Sequence, residues 1–279
     1  LYFPVAAFLL MLMLLTKQLI YFSMGALGLI LLVNIIRLSR NVQAFLLYAI
    51  PAAAAFLLSI LLVDAALQLK PSYVSHLHYV LATGSQHGDT ISSLGFNIWV
   101  IFTNDLLGSS RLPLQVGSIS LAPISPYSAG LTLFVVLNIM LFIIFLRDLR
   151  CQNTLGMTTF NTGQVISALF YFSLVNLTFN LTLTGTHERY LYHFYPFILM
   201  ACLSLLGHSR FIDRTLLISL FAGALFYGAY LFFYLYGMLR PTNQPMIQVA
   251  AVVHLSLYVY LLYSWIRNSN SQTVSPSHA

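Results

Sequence analysis

Residues 126–146 read PYSAGLTLFVVLNIMLFIIFL and contain no charged side chain. A helix of this length, rising about 1.5 Å per residue, spans the ~30 Å hydrocarbon core of a bilayer. Charged residues follow directly at Arg147, Asp148 and Arg150, where the apolar run ends. The stretch therefore predicts a transmembrane helix.

Comparable apolar runs recur along the whole chain and predict an all-α, polytopic transmembrane helical bundle of about eight spans. The expected spans are a short one before Thr16–Gln18, then 19–36, 41–63, 126–146, 163–183, 190–207, 215–236 and 246–265. Charged residues make up only 6% of the 279 residues and hydrophobic residues 59%, whereas soluble domains carry about 25% charged residues. This composition excludes a soluble enzyme, a disordered tail and a nucleic-acid-binding protein.

The arginines predict the orientation of the spans. If the spans alternate in direction, one side of the membrane holds the arginines of four short segments: Arg37, Arg40, Arg147, Arg150, Arg210, Arg214 and Arg267. By the positive-inside rule, that side is cytoplasmic. Residues 64–125, 184–189 and 237–245 then face the periplasm or the lumen.

We expect one transmembrane domain over residues 1–279, with residues 64–125 as a long extracytoplasmic loop inside it. A loop of this length is usually functional in a compact protein, and residues 72–81 have the mixed polarity of a short interfacial helix. Leu1 begins inside an apolar run. We therefore also expect the chain to be the C-terminal part of a longer protein.

Histidines of the long loop raise the question of a metal site. His76, His78, His87 and Asp89 are of residue types that bind divalent metals. Their spacing matches no specific metal site, and loop histidines without a ligand are the alternative. A divalent metal is left open as a cofactor, and no ligand set is assigned.

A second feature of the loop is the stretch Phe96-Asn97-Ile98-Trp99, which places an amide between aromatic side chains. Asn97 is suited to bind a sugar hydroxyl, and Trp99 is suited to stack on a sugar ring. The alternative is an aromatic anchor at the membrane interface.

The only glutamate of the chain, Glu188, stands between two spans beside His187 and Arg189. An acid, a base and a cation at one membrane interface are costly unless they are paired, so they indicate a site. The alternative is a snorkelling cluster in which Tyr190 and Tyr192 belong to an aromatic belt.

One face of the span at 163–183 is polar. Ser173, Asn176, Asn180 and Thr184 are spaced by three, four and four residues, so they share a helical face that runs toward His187. This face either joins helices by hydrogen bonds or forms the wall of a polar cavity.

Two of these segments together resemble integral membrane glycosyltransferases of the GT-C type. The stretch 95–99, GFNIW, resembles the AFNLW segment in the large extracytoplasmic loop of that family. The stretch 186–191, THERYL, resembles its MHERYL segment, which a Pro-containing apolar helix often follows, as Tyr195-Pro196-Phe197 does here. Eukaryotic mannosyl- and glucosyltransferases of lipid-linked oligosaccharide and GPI-anchor assembly carry a related His-Glu segment.

The resemblance implies transfer of a hexose from a polyprenyl-phosphate donor to a lipid-linked or protein acceptor at the extracytoplasmic face. The membrane would be the cytoplasmic membrane of a bacterium or the endoplasmic reticulum of a eukaryote. Arg189 would bind the phosphate leaving group, while Glu188 and His187 would hold Arg189 or bind sugar hydroxyls. The implied substrate-binding residues are His187, Glu188, Arg189, Tyr190, Asn97 and Trp99.

The chain departs from the family in one respect. The family's catalytic base is an acid in the first extracytoplasmic loop, and no acid precedes Asp64 here. The base then belongs to an upstream part of a longer enzyme, or the chain is a partner without a base. Glu188, Asp89 and Asp105 are the candidates that could replace it.

Two other functions compete with glycosyl transfer. A transporter or lipid flippase would carry acids or broken helices near the bilayer midplane and repeated halves; we find no acid near the centre of any span and no repeat. A non-catalytic subunit of a membrane glycosylation complex is compatible with the missing acid.

Overall fold

The computed structural model describes residues 2–16, 21–67, 76–78, 89–92, 94–103, 105–116, 119–120, 122–151, 162–205, 214–235 and 244–271. Eight helices of 12–28 residues lie in these ranges: α1 Tyr2–Thr16, α2 Tyr21–Leu38, α3 Val42–Ala66, α4 Pro126–Cys151, α5 Thr162–Thr182, α6 Phe194–Leu205, α7 Arg214–Leu235 and α8 Gln244–Ser271. Short elements join them, namely two 3₁₀ turns, Ile98–Ile101 and Glu188–His193, and a hairpin of β1 Gln115–Val116 and β2 Ile119–Ser120.

The predicted all-helical class is confirmed, since a helix lies at every expected span. Five of these helices, α3, α4, α5, α7 and α8, are long and apolar enough to cross a membrane. The other three are apolar but shorter, so the count of eight spans stays a prediction. Of the interfacial helix expected at 72–81, only residues 76–78 are described, and they are helical.

The chain divides into two compact units, of which the first comprises Leu1–Gln86 and Thr154–Phe160. In this unit α1 packs against α2 and α3. The small core joins Ala7, Ile35 and Ala52. His76 links the ends of two helices, because its backbone N–H donates to Asp64 Oδ1 at 2.8 Å and its Nε2 bonds to Leu15 O at 2.9 Å.

The second unit comprises His87–Asn153 and Asn161–Ala279, and α5 is its central helix. In its most apolar window 78% of the residues are buried, against 17% in α4, 28% in α7 and 39% in α8. It packs against α4, α6 and α8 and against both 3₁₀ turns. The outer helices expose side chains such as Ile139, Leu225 and Val259, as a lipid-facing surface requires.

One end of this second unit is closed by Asp148, near the end of α4. Its Oδ2 accepts hydrogen bonds from Ser167 Oγ, near the start of α5, and from Trp265 Nε1, late in α8, at 3.3 Å. The end of α4 therefore meets the start of α5 and the end of α8. At the other end of α4, Gly130 lies against Thr182 O of α5, so α4 and α5 run antiparallel.

The segment 94–103 covers the opposite end of the second unit. Three helices bond to it: Thr182 O of α5 accepts from Trp99 Nε1 at 2.6 Å, Gln248 of α8 donates to Val100 O at 3.0 Å, and Tyr230 of α7 donates to Leu94 O at 2.9 Å. Successive helices of this unit thus alternate in direction, which is the arrangement on which the orientation argument depends.

We predict that Asp148→Ala lowers the free energy of unfolding by about 1–3 kcal/mol, because it removes the acceptor of the buried Trp265 indole, while Ser167 Oγ keeps Gly163 O as an acceptor at 3.0 Å. Unfolding of the purified protein in mixed detergent and SDS measures this loss. Arg267→Ala, at an exposed position near the end of α8, is the control and should change stability by no more than about 0.5 kcal/mol. Equal losses in both variants would contradict the assigned role of Asp148.

Candidate functional site

The two segments singled out in the sequence lie side by side in the second unit. Leu94 and His187 form an antiparallel bridge, and Gly95 N–H donates to Thr186 O at 3.1 Å. Gly185 N–H donates in turn to Ile91 O at 3.2 Å. The GFNIW and THERYL stretches therefore meet at one end of the bundle, although about 90 residues separate them in the sequence.

This approach is so close that position 95 requires glycine. A Cβ on Gly95 would lie 2.6 Å from the carbonyl carbon of Thr186, well inside van der Waals contact. The neighbouring backbone is also unusual, because Leu94 has φ 69° and Gly185 has φ 67°. A bulky residue such as Leu94 rarely adopts this left-handed conformation, and such residues concentrate at functional sites.

Asn97 is fully buried at the centre of this contact. Its Nδ2 donates to Ile91 O at 2.8 Å and to Thr186 Oγ1 at 3.2 Å. Both amide hydrogens are therefore used inside the protein, and they fasten the two segments to each other. A sugar hydroxyl can meet only the amide oxygen of this residue.

Trp99 is also engaged inside the protein. It is 7% exposed, its indole N–H donates to Thr182 O, and its ring packs with Ile91 and Leu114. Gly130 leaves room for this contact, because a Cβ at this position would meet both Thr182 O and the indole nitrogen of Trp99. The structure thus gives Trp99 an anchoring contact between the loop and α5, whereas a stacking platform for a sugar needs an open ring face.

The THERYL stretch continues into the 3₁₀ turn Glu188–His193. The His187 ring meets Tyr190 edge to face at 5.3 Å, and the Tyr190 ring stacks on Phe179 of α5 at 5.4 Å. Tyr190 is buried, while His187 is half-buried. The side chains of Glu188 and Arg189 lie outside the described part of the structure, so their roles stay predictions.

Asn180, on the polar face of α5, reaches this turn. Its Nδ2 donates to His187 O at 3.2 Å. The face predicted from the sequence is buried at Ser173, Asn176 and Asn180, and it does run toward His187.

The two loop acids proposed as bases already have partners. Asp89 Oδ1 accepts from Arg111 Nε at 2.7 Å, and both side chains are more than half exposed. Asp105 Oδ1 accepts from Leu107 N–H at 3.2 Å, so this carboxylate caps its own turn. Both acids therefore stabilise the local loop, and neither carboxylate is buried beside the paired segments.

Within the part of the chain that the structure describes, no group of three or more His, Cys, Asp or Glu side chains is placed to hold a metal ion. His76 and His78 belong to the first compact unit and Asp89 to the second, while His87 lies outside the described residues.

The sequence reasoning missed His254, which is fully buried in α8. Its ring stacks on Phe96 at 4.8 Å, and its Nε2 bonds to the hydroxyl of Tyr195 at 2.8 Å. Because Nδ1 contacts the carbonyl of Ala250 at 2.7 Å, Nδ1 carries the hydrogen and Nε2 accepts from Tyr195. An ionisable residue inside an apolar run was the signal that could have identified it.

His254 holds both halves of the site. Phe96 immediately precedes Asn97, and Tyr195 follows the Glu188–His193 turn at the start of α6. One side chain of α8 thus contacts the loop segment and the segment after the THERYL stretch. The paired segments therefore rest on a buried aromatic base that also includes Tyr227 and Tyr230.

Comparisons of this chain with protein families, with curated proteins and with solved structures found no match. The geometry of the paired segments and the resemblance of their sequences are therefore the basis on which a function is proposed. Both concern the same end of the same unit.

We predict that the double variant Leu94→Cys/His187→Cys forms a disulfide when Cys151 and Cys202 are replaced. Bridged residues of antiparallel strands have Cα atoms about 4.5–5.5 Å apart, which disulfide geometry accepts. Loss of both free thiols to alkylation, measured by mass spectrometry, reports the bond. The control variant Leu94→Cys/Tyr263→Cys places its two cysteines at opposite ends of the unit and should keep both thiols free. Two free thiols in the Leu94→Cys/His187→Cys variant would refute the bridge.

Gly95→Ala should lower the free energy of unfolding by about 1–3 kcal/mol, because the added Cβ overlaps Thr186 and forces the two segments apart. Gly228→Ala in α7 is the matched control, since nothing lies within 4 Å of its Cβ. Alanine there should be neutral, or stabilising by up to about 1 kcal/mol. Thermal unfolding of both variants measures these changes. An unchanged free energy of unfolding in Gly95→Ala would contradict the close approach.

Proposed function

We propose that the protein is a membrane glycosyltransferase that transfers a hexose from a polyprenyl-phosphate donor to a lipid-linked or protein acceptor. The reaction would take place at the end of the second unit where residues 94–103 meet residues 185–193. Partners are the lipid donor, the acceptor and the surrounding bilayer lipids.

The observation that carries this proposal is the bridge between Leu94 and His187. The two stretches that resemble the GT-C family are distant in sequence, so each alone says little about function. Their direct contact at one end of a helical bundle is what a shared site for one lipid-linked sugar requires. The left-handed conformation of Leu94 supports it, because strained backbone concentrates at functional sites.

The proposal includes the full membrane topology. The three shorter apolar helices α1, α2 and α6 complete eight crossings with the five long ones, and the site faces the periplasm or the lumen. Arg147, Arg150 and Arg267 follow or end helices at the Asp148 end, which is then cytoplasmic by the positive-inside rule. The membrane is the bacterial cytoplasmic membrane or the endoplasmic reticulum.

The proposed roles of Arg189, Glu188 and His187 are those that the family resemblance implies. Arg189, in the turn at the membrane end, binds the phosphate that leaves with the polyprenol, since a guanidinium matches phosphate oxygens in a bidentate manner. Glu188 and His187 orient Arg189 or bind the hexose. Asn97 and Trp99 hold the loop in place through the contacts of their N–H groups.

A non-catalytic subunit of a membrane glycosylation complex is the second candidate. The engagement of Asp89 by Arg111 and of Asp105 by its own turn favours it. A general base must lie within hydrogen-bond reach of the acceptor hydroxyl. If neither Asp89 nor Asp105 is the general base, the base is Glu188 or belongs to another polypeptide segment.

We predict that Glu188→Gln and Arg189→Gln each lower transfer of labelled hexose from polyprenyl-phosphate hexose by on the order of 10²-fold. Membranes containing the full chain provide the assay, and the amount of inserted protein should stay normal. Arg267→Gln, an exposed arginine near the opposite end, is the control and should keep full activity.

Asp89→Asn and Asp105→Asn complete this series. A loss of about 10²- to 10⁴-fold in one of them would assign the base to that residue. Normal transfer in both, together with loss in Glu188→Gln, would place the role on Glu188. Normal transfer in all four variants would show that the site is assigned wrongly.

A further inference from the structure

Two buried amides near the bridge have an orientation that chemistry fixes. The Nδ2 of Asn97 faces Ile91 O at 2.8 Å, and the Nδ2 of Asn180 faces His187 O at 3.2 Å. A carbonyl oxygen only accepts hydrogen bonds, so each amide must turn its nitrogen toward it. The remaining atom of each side chain is therefore an oxygen, which only accepts.

Neither amide oxygen has a hydrogen-bond partner among the described residues. Both residues are nevertheless fully buried. Such buried acceptors are rare in proteins, and an enclosed water, an ion or a ligand usually satisfies them.

The two amides belong to one place in the fold. Asn97 also donates to Thr186 Oγ1 at 3.2 Å, while Asn180 bonds to the next residue, His187. One amide comes from the loop segment and the other from the last turn of α5. They bond to two consecutive residues of the THERYL stretch, Thr186 and His187.

The chemistry of this pair limits what it can bind. Two acceptor oxygens repel an anion, so a phosphate is unsuited to the position. A full positive charge is also unsuited, because both asparagines are fully buried. A neutral O–H donor satisfies both constraints.

We infer that Asn97 Oδ1 and Asn180 Oδ1, together called the acceptor site, each accept a hydrogen bond from a neutral O–H group enclosed at this end of the unit. Two sources present this group, a water molecule and a hydroxyl of the transferred hexose. The hexose source rests on the proposed function, whereas the water source does not. Asn180 then contributes to the site through its amide oxygen, in addition to its bond to the THERYL backbone.

A density map of the purified chain in lipid nanodiscs, resolved well enough to show ordered water, tests the site. It is recorded without addition and with polyprenyl-phosphate mannose. Ordered oxygen density within hydrogen-bond distance of the two amide oxygens supports the site, as water in the first map or as a sugar hydroxyl in the second. Bare amide oxygens in both maps overturn it.

A binding measurement separates the two sources. For a sugar hydroxyl, Asn180→Leu should weaken binding of polyprenyl-phosphate mannose about tenfold, while polyprenyl phosphate without sugar binds as before. Asn138→Leu is the control for removing an asparagine from a helix elsewhere, since Asn138 Nδ2 donates to Phe134 O of its own helix at 2.7 Å. Unchanged mannose-lipid affinity in Asn180→Leu, with water in the map, assigns the site to water.

The two proposals can fail separately. If hexose transfer is absent but ordered water lies at the two amide oxygens, the acceptor site is supported and the proposed glycosyltransferase function is refuted. If hexose transfer proceeds but both maps show no density at the amide oxygens, the acceptor site is refuted and the proposed glycosyltransferase function is kept. If Asn180→Leu does not fold, the maps of the unaltered protein still decide.

Discussion

The backbone of Gly95 lies directly against the carbonyl of Thr186, with no room for a side chain between them. This close approach determines several other features of the paired segments. It brings Asn97 within hydrogen-bond distance of Thr186, sets the bridge from Leu94 to His187, and requires the left-handed conformation on both sides of the contact. Any chemistry at this end of the bundle therefore takes place on a surface whose two halves are already locked together.

The contact between the two segments is supported by helices of the second unit. α5 is mostly buried and carries its polar side chains inward, so that Asn180 and the Thr182 carbonyl emerge where the loop segment arrives. His254 of α8 adds a second support, since it contacts both Phe96 and Tyr195. At the opposite end, Asp148 joins α4, α5 and α8. Each end of the unit is thus closed by buried hydrogen bonds among different helices.

The sequence predicted the helices well, because a run of about 20 apolar residues has few alternatives to a membrane helix. It also placed the two motif segments on one side, since alternating spans leave both loops there. It did not predict that Trp99 and Asn97 use their N–H groups internally, because composition cannot tell a donor used inside the fold from one offered to a ligand. The role of His254 was missed for a related reason: its stacking and hydrogen-bond partners lie far away in sequence.

The most direct test of the proposed function is to determine whether, and where, a lipid-linked sugar binds. A polyprenyl-phosphate hexose carrying a photoreactive group near the phosphate can be cross-linked to the protein in membranes, and the labelled peptides identified by mass spectrometry. The account predicts labelling within residues 94–103 and 185–193. Labelling confined to the Asp148 end, around Arg147, Arg150 and Arg267, would contradict it.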